Sequence, residues 1–166
     1  MIGIETDARR YVWCRSNALW VIGMPALTFL QDVHGAQEAG QEGLLRYAAR
    51  GIGDACAVAL HVAVNQARPI PPAPLRTAWA LEGIGGHALW EACWQLVRGI
   101  EAVPAGQIPA RCEALISEVQ AIVGKMPNIL TPEGHYPAIA LARDWAKALD
   151  AVGEPAPLPS NWALPS

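Results

Sequence analysis

Leu44-Leu-Arg-Tyr-Ala-Ala-Arg-Gly-Ile-Gly-Asp-Ala-Cys-Ala-Val-Ala-Leu-His-Val-Ala-Val-Asn-Gln-Ala-Arg68 is the stretch that decides the fold. Ala, Leu and Val fill most of it, and no proline interrupts it before Pro69. Ala and Leu are strong helix formers, and a helix this apolar around its circumference belongs at the centre of a core. The elbow Arg68-Pro-Ile-Pro-Pro-Ala-Pro74 follows. No regular helix crosses it, because proline lacks the amide donor and clashes with the preceding turn. A second helix is entered through Leu75-Arg-Thr-Ala-Trp79. Pro74 suits its first turn, where a missing N–H leaves no bond unmade.

Working outward, nearly every segment has helical spacing and none sustains period-2 alternation. Residues 7–34 read as a first helical region that Pro25 kinks or restarts. Gly35 to Gly43 holds three glycines between helical patterns and is expected to be a turn. Gly85-Gly86 separates the second helix from another over about 87–103, and Pro104 to Pro109 is a linker. A helix at 110–123 stops at Gly124, and a last one spans about 137–152. The expected architecture is all-α: one helical bundle of five to seven helices over residues 1–153, then an extended proline-rich tail over 154–166.

The bulk composition fits that architecture. A chain of 166 residues makes one domain with a real core. Its charged fraction, 16%, is well below the roughly 25% of an average soluble domain, so much surface must be hidden in a core, an interface or a ligand cavity. Seven Trp against one Phe favour interfaces and pocket walls. The net charge is −3, with no basic stripe, which argues against nucleic acid as the main partner. Cys14, Cys56, Cys93 and Cys112 form no C-x-x-C pair and suit a reduced, cytoplasmic chain. The apolar run 18–30 is broken by Gly23 and Pro25 and is shorter than the ~20 residues of a membrane span. The first ten residues lack the apolar core of a signal peptide.

The polar residues of the central helix line up. Arg46, Arg50, Asp54, His61, Asn65 and Arg68 are spaced 4, 4, 7, 4 and 3 apart, which places them on one face. One reading makes this row a solvated edge; the other makes it the polar wall of an apolar cavity, with Arg50, Asp54 and His61 as ligand contacts. Arg50 and His61 lie about 16 Å apart along the axis and cannot share one small site.

Val64-Asn65, the Pro71-Pro72 elbow, Arg76 and Trp79-Ala-Leu-Glu82 together resemble the helical substrate-binding domain of small nucleotidyltransferases, within the HEPN superfamily. The likeness covers roughly residues 40–85. It departs from the family pattern in placing Arg76 three residues before Trp79. It implies a four- or five-helix bundle that forms a homodimer and holds a small molecule or a separate nucleotidyltransferase chain. It does not imply nucleotidyl transfer here, since the sequence has no Asp-x-Asp pair. Nor does it imply the RNase activity of other HEPN proteins, because Arg50/His61 and Arg76/His87 each have ten residues between them.

A second constellation runs from Trp79 to Arg98. On a helix His87, Trp90, Glu91, Trp94 and Arg98 share one broad face. A neutral His87 beside Glu91 or Glu82 is suitable acid/base equipment, and Trp79, Trp90 and Trp94 would wall an apolar ligand cavity. The plainer reading makes Trp90 and Trp94 core anchors with His87 and Glu91 facing water. The loop Thr131-Pro-Glu-Gly-His-Tyr-Pro137 reads as a connector or a ligand-contacting lid. The four His are scattered, no serine sits in a nucleophile elbow, and no glycine loop follows a strand, so no metal or cofactor is expected.

Two functions emerge as expectations. One is a dimeric binding or partner-docking module without its own nucleotidyltransferase site. The other is a small acid/base enzyme, of isomerase or cyclase type, acting on an apolar metabolite in natural-product biosynthesis.

Overall fold

The computed structural model describes residues 21–65, 71 and 73–124. Within them the fold is all-α: five helices and two short 3-10 turns, with no strand among the described residues. The helices are α1 (Pro25–Glu38), α2 (Glu42–Asn65), α3 (Ala73–Gly83), α4 (Trp90–Val97) and α5 (Ile108–Val123). The 3-10 turns, Ile100–Ala102 and Ala105–Gln107, link α4 to α5.

The long helix is where its composition puts it. α2 packs against each of the other four helices and both 3-10 turns. Eight consecutive residues, Ala55 to Val62, are buried, so the helix is enclosed all round at its middle. Small residues make that enclosure possible. The Phe29 ring lies across Gly51, and Leu96 and Val97 of α4 close over Gly53, where any Cβ would collide with them. Around α2 the core is completed by Ile22, Val33, Ile84, Leu96, Ile100, Ile108, Cys112 and Val119.

The ends of the elements follow local chemistry, with three departures from the periodicity. Residues 21–23 are helical and Met24 is a turn, so Pro25 restarts the helix at its first positions, where its missing donor is harmless. α1 then runs on through Gly35 to Glu38, beyond the expected turn, because burial of Val33 and Ala36 outweighs the weak helix propensity of glycine. The stop is Gly40, at φ 65°, with Gln41 N–H on the Ala36 carbonyl and Gly40 N–H on the Gln37 carbonyl. The expected helix over about 87–103 is shorter: both Arg98 and Gly99 turn their N–H groups onto the Trp94 carbonyl, and the chain tightens into 3-10 turns. Residues 104–109, expected as a linker, hold the second 3-10 turn and the first residues of α5. The first helical region before residue 21, the elbow apart from Pro71 and the Ala73-Pro74 that open α3, the last helix, the loop around His135 and the tail lie outside the described residues.

Among the described residues no helix is long and apolar enough to cross a membrane.

Candidate functional site

The polar row of α2 faces its neighbours, and its members are occupied there. Arg46, with only 13% of its side chain exposed, donates to the carbonyls of Ile100 (2.5 Å) and Val103 (3.0 Å) and pairs with Glu42. Arg50, 45% exposed, pairs with Glu101. Asp54 accepts the Thr77 hydroxyl at 2.6 Å. His61, 6% exposed, meets the Trp79 carbonyl through Nδ1 at 3.1 Å, and Asn65 donates to the Gly83 carbonyl at 2.6 Å. Arg68, the last member, lies outside the described residues.

These contacts share a logic. The last carbonyls of a helix or 3-10 turn have no partner within it and need outside donors. Arg46 gives a second donor to the Ile100 carbonyl, which already accepts the Val103 N–H, and a donor to the Val103 carbonyl just past the turn. At the end of α3 Asn65 supplies one to Gly83 and the Trp90 indole N–H supplies one to Leu81 at 3.1 Å, while His61 meets the Trp79 carbonyl one turn before the end. Arg46, His61 and Asn65 are thus donors that α2 offers to the elements packed on it, while Asp54 accepts from Thr77 and Arg50 pairs with the Glu101 carboxylate.

His61 is the most enclosed member. Its ring stacks on the Trp79 indole, centroids 3.7 Å apart and planes 20° from parallel. It also presses against Gly83, where a Cβ would overlap the imidazole. Because a carbonyl accepts, Nδ1 carries the proton of the neutral ring. Burial holds the His61 pKa below its ordinary value, outweighing the Trp79 and Ala80 carbonyls that favour the charged ring.

The second constellation is built differently from the first. His87 precedes α4, and its Nδ1 accepts the Leu89 N–H at 3.1 Å, so it serves the turn that starts the helix. Glu91 is exposed and accepts from Gln95 at 3.2 Å, and Glu82 is exposed. Neither carboxylate is within ion-pair distance of His87; among the described residues the histidine ion pair is His34 with Glu113, at 3.1 Å. Trp90 is half-buried, stacked at 6.2 Å on Trp94, which stays 38% exposed. Trp79 is committed to His61. The three indoles thus have separate roles: a stacking plate, a donor and an outward face.

A polar chain crosses from α4 to α5: Gln95 donates to Glu91 at 3.2 Å, and Arg111 donates to Gln95 at 2.6 Å and to Gln107 at 3.1 Å. It borders a depression of about 150 Å³ whose lining includes Ala92, Leu96 and Leu115 together with Gln95, Arg111 and Glu118. A second, of about 210 Å³, lies between Ala36, Leu45 and Ala105. Neither includes a residue from the expected ligand set.

Three thiols from three helices complete the interior. Cys56, Cys93 and Cys112 are buried and free. Burial pushes Cys93 and Cys112 up to about 12, and Cys56 rises well above its ordinary value, with the neighbouring thiols adding to the effect. No group of three or more His, Cys, Asp or Glu among the described residues is arranged to hold a metal ion.

Sequence reasoning did not find Thr77, Gly83 or Glu101, the partners of the α2 row. A glycine in the last helical position before Gly85-Gly86 was the available signal for close approach of another side chain. No protein-family model, curated protein or solved structure matches this chain.

Proposed function

We propose that the chain is a helical binding module, in which α2 is scaffold and the surface of α4 and α5 around Trp94 engages a partner chain or a small molecule. The observation that supports this reading is the commitment of the α2 row, Arg46 through Asn65, to neighbouring elements, together with an outward Trp94 on a stacked indole pair. An exposed Trp stacked on a second indole, on a helix that also carries Glu91 and Gln95, suits an interaction surface. The acid/base alternative draws less support, since His87 serves a helix start and stands apart from Glu82 and Glu91.

The resemblance to the substrate-binding domain of small nucleotidyltransferases fits the same reading. It suggests a homodimer or a separate nucleotidyltransferase chain as partner, and one bundle of five to seven helices over residues 1–153. Native mass spectrometry of the purified chain tests the proposal, reading oligomeric state and retained small molecules together. The expected result is a dimer or a ligand-bearing species that Trp94→Ala abolishes; a ligand-free monomer counts against the reading.

A further inference from the structure

Among the described residues α3 is the helix with the least packing around it: it lies on α2 and touches α4, and the buried apolar side chains described in it are Ala80 and Leu81. Much of its attachment is therefore polar and concentrated at its C-terminal end, in the donors His61, Asn65 and Trp90. Of these only His61 changes charge between pH 5 and 8.

We propose that His61 is a proton-sensitive latch that seats the end of α3 on α2 when neutral and releases it when protonated. The geometry makes the response local. With Nδ1 donating to the Trp79 carbonyl, the added proton must go to Nε2 of a ring that is 6% exposed, flat against an indole and pressed on Gly83. A cation there has lost its water. Opening α3 restores that water and uncovers the side of α2 beneath it. Among the described residues the charged or titratable groups on the elements packed around the ring are Glu42, Arg46, Tyr47, Arg50, Asp54 and Cys56 on α2, Arg76 and Glu82 on α3, and Glu91 and Cys93 on α4 with His87 before it. Asp54 is engaged by Thr77, Arg46 and Arg50 by Glu42 and Glu101, and none forms an ion pair with His61.

The sign follows from proton linkage. The closed state holds His61 neutral more strongly than the open state does, so the open state binds more protons at acid pH. Closure is fully stable above the ordinary imidazole value of about 6.5 and weakens as pH falls from there toward the lower value of the buried ring.

Native-state hydrogen exchange of the full chain at pH 7.5, 6.5 and 5.5, corrected for intrinsic amide rates, tests the latch. The opening constant of amides at Trp79 to Gly83 is expected to rise by up to about fivefold between pH 6.5 and 5.5, the ceiling for one proton on an open ring that titrates near 6.5. Amides of α5 should not follow. His61→Gln should remove the response, while His34→Gln should keep it. Unchanged α3 protection, an equal rise in α5, or a response that survives His61→Gln overturns the proposal. If His61→Gln does not fold, an NMR titration of His61 in the native chain decides. A midpoint below 6.5 supports the latch, and one at or above 6.5 refutes it.

Discussion

The imidazole of His61 lies 3.7 Å from the indole of Trp79, centroid to centroid, in the space left by the missing side chain of Gly83 one turn further along α3. The two helices are joined there by a stacked pair, a carbonyl hydrogen bond and a glycine contact at once. That junction explains why a polar residue occupies the enclosed part of an otherwise apolar helix.

Gly83→Ala is expected to destabilise the fold by about 1–3 kcal/mol, the usual range for overpacking, because its Cβ would displace the imidazole. Gly35→Ala makes the contrast. Gly35 is helical, exposed and has open space around its Cβ direction, so alanine should stabilise by about 0.5–1 kcal/mol. Urea denaturation midpoints of the two variants read both signs.

Arg46→Met keeps the apolar stem and removes the donors to Ile100 and Val103. Bonds from a charged donor are worth about 1.5–3 kcal/mol, and losing these should lower stability by that order. Arg50→Met breaks an exposed pair with Glu101 and should stay within about 1 kcal/mol of the parent. Thermal and chemical denaturation of the two variants should rank them in that order; equal losses would contradict the separation of a structural Arg46 from a solvated Arg50.

The buried thiols give a chemical readout. Thiolate is the reactive form, and burial keeps Cys56, Cys93 and Cys112 protonated at ordinary pH. An aromatic disulfide reagent at pH 8 should therefore titrate at most one thiol of the native chain, Cys14, and all four after unfolding. Fast native reaction of two or more would show that α2, α4 and α5 do not close over the thiols.

Trp90 and Trp94 should separate by their surroundings. Trp90→Phe leaves the Leu81 carbonyl without its donor and should destabilise by about 0.5–1.5 kcal/mol. Trp94→Ala, at a site 38% exposed, should alter partner or ligand retention in native mass spectrometry more than it alters the melting temperature.

The central helix was legible because its Ala, Leu and Val density leaves no other conformation that buries so much apolar surface. The polar row was legible too, since spacing alone puts Arg46, Arg50, Asp54, His61 and Asn65 on one face. Its destination was not. Both expected settings, water or cavity, looked for partners within the row or in a ligand, whereas Arg46, His61 and Asn65 meet carbonyls of other elements, Arg50 meets Glu101 and Asp54 meets Thr77. Every residue has a carbonyl, so no side-chain pattern announces which ones a fold will leave for capping. The run through Gly35 escaped for a related reason: local propensity disfavours helix there, and the packing of Val33 and Ala36 that prevails is tertiary. Treating His87 to Arg98 as one helical face failed at its first member, because His87 turns back to hold Leu89 and α4 begins three residues later.

The central claim is that Arg46, His61 and Asn65 of the α2 row are donors committed to neighbouring carbonyls, and the tautomer of His61 tests it most directly. Long-range nitrogen–proton NMR at pH 7.5 distinguishes the two neutral forms of a histidine ring. A proton on Nδ1, held by the Trp79 carbonyl, is the predicted state. A proton on Nε2, or two forms in rapid exchange, would mean that His61 does not hold the end of α3 and that the row is free for other work.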